Sequence, residues 1–470
     1  MIENLSTSRT LGIYILAILI ALAGGCSTLN KERKARENFT ASEQAYVDSL
    51  MNLPQWSIPE GKAQYPDIHR WNLLHQKAWL NFDLAKQQLH GKTELILRNR
   101  ITRNDSLVID AKNLDILSHE IQIKDFSGQI SIKTDSASLR IHFSEPVYRG
   151  DTVTVQINYR ASSSEGLHFS RYEKREDHYV PGQFWTVGHP ERNSYWLPTL
   201  DRPGETTTHE FWITVPDSLT SISNGKLVAQ SQYDSTRTDY WIMEQEHPVY
   251  SMTVAAGDFS HNRNIEHGTV QHYYLEPGYS TNSNLIYGTT PDALSFLSSY
   301  FDLPYPWENY KQVALHRFLF SGMENTTSSF YNANIQIDEK AAQDISNQNL
   351  IVHELTHQWF GNRIVIDDWA NLALLEGLAG YMEILYKEKA QNRPVEAAWQ
   401  LYQEKQHYLM EAREMRRSLI FRKFDSADEL YDAHTYSKSI WAWHMLRKTV
   451  GEAVFQSALR TMAEELIQDQ

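Results

Sequence analysis

From about residue 61 to 258, apolar and polar positions alternate with a period of two. In SASLRIHF, Leu139, Ile141 and Phe143 alternate with Arg140 and His142. In DTVTVQINY, Val153, Val155, Ile157 and Tyr159 alternate with Thr154, Gln156 and Asn158, and HEFWITVP repeats the pattern with Phe211, Ile213 and Val215. Successive side chains on a strand point to opposite faces, so these runs predict half-buried strands. Their spacing between Gly, Asp and Ser clusters predicts an antiparallel β-sandwich. GTVQHYYLEPG (268–278) still reads as a strand. Beyond it the period lengthens. TTPDALSFLSSYF predicts a helix with Thr290 as its cap and Pro291 at the first helical position. QNLIVHELTHQWFGN predicts another, ended by Gly361. NLALLEGLAGYMEILYKEKA, PVEAAWQLYQEKQHYLMEARE, SKSIWAWHMLRKTV and GEAVFQSALRTMAEEL predict four more. A chain of 470 residues exceeds one ordinary core. The expected fold is multidomain α+β, with a β-domain over 61–258 and a mainly α-helical domain over 259–470.

The N-terminus has a different pattern. Arg9 precedes the apolar run LGIYILAILIALA (11–23), and small residues then lead to Cys26. Thirteen apolar residues fall short of the roughly 18–20 that span a bilayer, and fit the core of a secretory signal. ALAGGC resembles a bacterial lipoprotein signal, in which the cysteine is lipidated. Cys26 is the only cysteine in the chain. The expectation is an exported envelope protein with residues 1–26 as its signal, Cys26 as lipidation site and membrane anchor, and 27–60 as a polar spacer. Plain secretion or an uncleaved anchor are the alternatives.

Composition is globular, with 41% hydrophobic and 22% charged residues. A net charge of −14 argues against nucleic acid as partner, because phosphate binding needs a basic face. The chemistry concentrates in HELTHQWFGNRIVIDDWANLALLEG (353–377), where ionisable groups stand among core residues. On a helix, residues four apart share a face, so His353 and His357 can grip one ion. Glu354 sits beside that face, close enough to act on a bound water. Eighteen residues separate His357 from Glu376, enough for a loop and a turn-back onto the next helix. A glutamate on an apolar helix face costs several kcal/mol unless it is paired, hydrogen-bonded or metal-bound. Two His, one Glu and an open position are the ligand set of one type of zinc peptidase.

HELTHQWFGN, Trp369 and LLEGLAGYME closely resemble the core of the aminopeptidase N family, which includes the leukotriene hydrolase relatives. SGMEN (321–325) resembles that family's exopeptidase motif, YWLPTLDRP (195–203) and AAGDF (255–259) its β-domain landmarks, and TYSKSIWAWHML (435–446) its Tyr-x-Lys-Gly segment. The resemblance implies a saddle-shaped β-domain on a thermolysin-like catalytic domain, with one zinc per chain held by His353, His357 and Glu376. It implies Glu354 as general base and Tyr436 as oxyanion donor. Glu324, with Gly322, Met323 and Asn325, would receive a peptide's free N-terminus. The implied activity is zinc-dependent removal of N-terminal residues from peptides. Trp359, Phe360 and Trp369 are expected to be packing residues.

Three departures qualify this. Where the family reads Thr-Gln-x-Glu, this chain reads TVGH, with Val187 at the glutamine and His189 at the glutamate position. Ser321 replaces the first glycine of the exopeptidase motif and adds a side chain there. Both changes fall at the amine end and imply altered or weaker recognition of the first residue. The family's further helical C-terminal domain has no counterpart before Gln470, so the enzyme is minimal or the sequence a fragment. A zinc endopeptidase or other hydrolase on the same machinery, and a non-catalytic envelope binding protein, are the competing readings.

Overall fold

The computed structural model describes residues 57, 59, 61–66, 69–171, 173–174, 179–180, 182–266 and 268–468. Cys26, the signal segment and nearly all of the spacer lie outside the described residues. Among the described residues, no helix is long and apolar enough to cross a membrane.

Alternating runs form the strands they predict. Thr152–Ser162 buries Val153, Val155, Ile157 and Tyr159 and turns its polar residues outward. It belongs to an open seven-stranded sheet, in the order Lys226–Tyr233, Thr236–Pro248, Thr206–Pro216, Trp71–Asp83, Gln88–Asn99, Thr152–Ser162 and Asp115–Ile123. A four-stranded, a three-stranded and a short two-stranded sheet complete the described β-rich half, around a core that includes Leu95, Val155, Ile157 and Phe211. One pairing departs from the antiparallel expectation. Trp71–Asp83 runs parallel to Thr206–Pro216, with Trp79 opposite Trp212.

The C-terminal half holds seven α-helices among its described residues: α1 (Ser283–Tyr287), α2 (Thr290–Phe301), α3 (Gln348–Thr356), α4 (Leu372–Leu385), α5 (Pro394–Glu411), α6 (Ser439–Val450) and α7 (Glu452–Gln468). It also contains a five-stranded sheet, in the order Ser260–Glu266, Thr269–Leu275, Asn309–Leu315, Ser328–Asn332 and Gly322–Met323. Most of this sheet was not visible in the sequence. Asn309–Leu315 is buried at six of its seven positions and so shows no alternation.

Two helix ends differ from expectation. Thr290 is the first residue of α2 and not its cap; its hydroxyl donates to Gln312 Oε1 at 2.6 Å, and the N-cap position falls to Thr289. Helix α3 stops at Thr356, well before Gly361, and His357 is its C-cap. Tighter turns follow, with Gln358 N donating to Leu355 O and Trp359 N to Thr356 O. Gly361, at φ +140°, then reverses the chain.

The two halves share a core. Val352 and Leu355 of α3 pack in one cluster with Trp185, Val187, Ile222 and Tyr250 from the β-rich half. Polar ties reinforce the junction. Tyr250 donates to Gly361 O at 2.9 Å, Asn224 Nδ2 to Thr326 O at 2.7 Å, and Gly225 N to Thr327 Oγ1 at 2.7 Å.

Candidate metal centre and substrate cleft

Helix α3 buries Ile351, Val352, Leu355 and Thr356, which fixes its rotation and aims His353 and His357 at α4. Helix α4 is apolar almost all round and is held between α3 and α6, so Glu376 meets the imidazoles from the opposite side. His353 Nε2 lies 3.2 Å and His357 Nε2 3.5 Å from Glu376 Oε2. The donor atoms of these three residues all lie within 4.8 Å of one another.

The other ring nitrogens are already bound. His353 Nδ1 is 2.9 Å from Glu383 Oε1, and His357 Nδ1 is 3.0 Å from Phe360 O. With both Nδ1 atoms protonated and donating, both Nε2 lone pairs converge on one point. Gln400 Nε2 in turn donates to Glu383 Oε2 at 2.8 Å. Glu383 is a site residue that the sequence pattern does not single out. The available signal was its position seven residues after Glu376, on the same stripe of α4.

Electrostatics test the fit of a cation. Glu324, Glu354 and Glu376 are 6%, 4% and 5% exposed, and the charges of Glu324 and Glu376 act on Glu354, so three buried acids share one low-dielectric region. Burial pushes the Glu354 carboxyl up to about 8; the charges of Glu324 and Glu376 act in the same direction, and the two imidazoles pull against them. For Glu376 burial also acts upward, but the two imidazoles outweigh it and hold this carboxyl below the usual range. Burial alone would lower His357, yet Glu376 raises it to about 8, and Glu376 and Glu383 raise His353. Glu376 thus favours protons on the two imidazoles. A divalent ion displaces those protons and supplies the same charge at one point. The donor set, two nitrogens and one carboxylate, suits zinc.

The remaining candidates surround this point. Gly322–Met323 forms the edge strand of the five-stranded sheet, paired with Tyr331 and Phe330. A Cβ on Gly322 would come within 2.1 Å of Glu354 Oε1, so the glycine makes room for that carboxylate. Ser321 is exposed, away from this contact, while Met323 packs into the core and Asn325 is fully buried. Tyr436 lies on a π-helical turn, His434–Lys438, its ring 6.5 Å from that of His353. Burial and the nearby Glu376 raise its phenol well above the ordinary value, which keeps the hydroxyl a donor. Trp359, Phe360 and Trp369 are buried packing residues, and Trp369 also donates to Glu191. Val187 lies wholly inside the shared core. His189 is buried against Trp369 and Tyr250 and hydrogen-bonds Tyr431, a contact the sequence did not announce.

This architecture is that of a zinc-site protein with a β-rich domain docked on a mainly helical one. Residues 72–251 match the Peptidase M1 N-terminal domain and residues 286–468 the Peptidase family M1 domain; the chain belongs to peptidase family M1, the aminopeptidase N family. It is 24% identical over 368 residues to aminopeptidase M1-C of Oryza sativa subsp. japonica, covering 75% of this chain and 41% of the relative. It is 22% identical over 523 residues to aminopeptidase N of Rattus norvegicus, covering 98% of this chain and 52% of the relative. The chain thus spans about half the length of these relatives. The M1 zinc metallopeptidase of Deinococcus radiodurans has the same fold, with a TM-score of 0.69 at 20% identity over 86% of this chain and 88% of that one.

Proposed function

We propose that this chain is a zinc-dependent aminopeptidase, in which His353, His357 and Glu376 hold the ion. The observation that carries this reading is the convergence of two oriented imidazoles on the buried Glu376, with Glu354 and Glu324 buried within electrostatic reach of them. When bound, the ion lowers the pKa of water to about 7 and polarises the peptide carbonyl. Glu354 takes a proton from the attacking water at one carboxylate oxygen and passes it to the departing amine. The Tyr436 hydroxyl donates a hydrogen bond to the carbonyl oxygen as negative charge develops there. Glu324 pairs with the substrate's free ammonium, a charge-assisted contact of roughly 1.5–3 kcal/mol. A blocked N-terminus leaves that acid unpaired, so peptides with a free N-terminus are the substrate class.

A second reading, an endopeptidase or a hydrolase with weaker amine recognition, draws on one observation. The buried His189, tied to Tyr431, stands beside Glu324 where the family resemblance leads one to expect a further acid. For cellular placement, the apolar run before Cys26 supports export and a lipid anchor in the bacterial envelope.

The test compares free and N-acetylated aminoacyl reporters on purified protein. Free-amine substrates should be cleaved in preference, the activity should disappear with a chelator, and Glu354→Gln should lower kcat at least about 100-fold with zinc retained. Equal cleavage of both substrates would favour the second reading. Stoichiometric zinc without turnover over a broad peptide library would favour a binding protein.

A further inference from the structure

The Glu324 loop is tied directly to the segment that carries the metal ligands. Gln358 follows His357 in the chain and is wholly buried. Its Nε2 donates to Glu324 O at 3.0 Å, and its Oε1 accepts from Thr327 N at 2.9 Å. Asn362 Nδ2 donates to the same Glu324 O at 2.6 Å. One carbonyl therefore receives two side-chain donors from residues 358–362, and one amide spans both ends of the turn 324–327.

The turn needs holding. Thr327 has φ +61°, a conformation that a β-branched residue adopts only when its surroundings enforce it. Its hydroxyl accepts from Gly225 N, and its backbone carbonyl from Lys311 N at 2.8 Å. Those contacts fix the far end of the turn. Among the described residues, Gln358 and Asn362 are the side chains that bind the carbonyl of Glu324 itself.

We infer that Gln358 and Asn362 are positioning residues that set the distance from the Glu324 carboxylate to the metal ligands, and so restrict cleavage to the bond one residue from the free amine. This rests on Glu324 being the amine anchor. One peptide bond joins Gln358 to His357, so a shift of the turn relative to Gln358 is a shift relative to the metal site. An anchor displaced by about 1 Å no longer places the scissile carbonyl correctly, and such misplacement is on the order of a 100-fold loss.

The experiment measures kcat and KM for a panel of aminoacyl p-nitroanilides and their N-acetyl forms, with zinc content by elemental analysis. The proteins are the full chain and its Glu324→Gln, Gln358→Met and Asn362→Leu variants. Gln358→Met keeps the side-chain length and removes both amide contacts; Asn362→Leu removes one contact and leaves Gln358 in place. The expected result is that Gln358→Met narrows the free-over-acetyl ratio of kcat/KM about tenfold or more, with zinc still stoichiometric, and that Asn362→Leu narrows it less. A general packing defect would lower both substrates together and leave the ratio unchanged. An unchanged ratio in both variants, beside a narrowed one in Glu324→Gln, overturns the positioning role while sparing the anchor. An unchanged ratio in Glu324→Gln overturns the anchor itself. If Gln358→Met does not fold, the ratio in Asn362→Leu decides.

Discussion

At the scale of single residues, His353, Glu354, His357 and Glu376 were legible because burying an acid or an imidazole among leucines demands a compensating partner. Glu383, Gln358 and Asn362 were not, because their importance lies in contacts that only the tertiary fold creates. Glu383 orients His353 and is itself held by Gln400. Replacing such an outer partner typically costs 10–100-fold in metal affinity. Glu383→Ala should therefore weaken zinc binding by about that factor, measured by competition with a chromogenic chelator; unchanged affinity would reduce Glu383 to a packing role. Tyr436 makes a different prediction. In the proposed mechanism its phenol donates only as charge builds on the carbonyl oxygen, so Tyr436→Phe should lower kcat about 100–1000-fold and leave KM and zinc content nearly unchanged. A change confined to KM would move Tyr436 from the reacting oxygen to substrate binding.

At the scale of elements, periodicity located α4–α7, while the close approach of α4 to α6 depends on two glycines, Gly380 against the Ile440 side chain and Gly377 against Ser439, backbone included. A Cβ on Gly377 would lie 1.9 Å from Ser439 Oγ and 3.0 Å from the Ser439 backbone carbon. Ser439 meanwhile donates to Ala373 O, which sews the two helices together. Gly377 neighbours Glu376 in α4, and Ser439 lies three residues after Tyr436. Overpacking of this kind costs about 1–3 kcal/mol. Gly377→Ala should lower the urea midpoint and, by pushing α4 from α6, reduce kcat and zinc affinity together. Gly278→Ala is the control, because a Cβ there meets nothing within 4 Å. Equal behaviour of the two variants would mean that the helices can part without cost. The sequence pattern carried no information on this packing, since a glycine inside a helical run signals close approach without naming the partner. The end of α3 escaped for a related reason. Apolar residues continue through Trp359 and Phe360, but Gln358 is drawn off to Glu324 and the helix unwinds.

At the scale of the whole molecule, the β-rich half is a structural part of the site, and Lys311 shows how tightly the halves are joined. Its Nζ donates to Gly225 O of the β-rich half at 2.6 Å, to Asn309 Oδ1 at 2.6 Å and to Thr327 Oγ1 at 3.3 Å, and lies over the Trp241 ring. These partners are neutral, and burial pushes the ammonium down to about 7 from an ordinary 10.5. Between those values the unfolded chain binds more protons than the folded one, so this residue makes stability rise with pH. Its contribution is fully present above about 10.5 and is lost as pH falls through about 7. The slope approaches about 1.4 kcal/mol per pH unit at most. Urea unfolding of the zinc-loaded protein at pH 7, 8 and 9, with Lys311→Met alongside, isolates this term, because the other titrating groups cancel in the difference. The native protein should gain stability relative to the variant at each step upward. Parallel pH profiles would mean that Lys311 stays charged in the folded state. Since Lys311 also ties Gly225 to the turn behind Glu324, Lys311→Met should raise KM for free-amine substrates even at pH 7, which links the seam between the halves to the substrate end of the cleft.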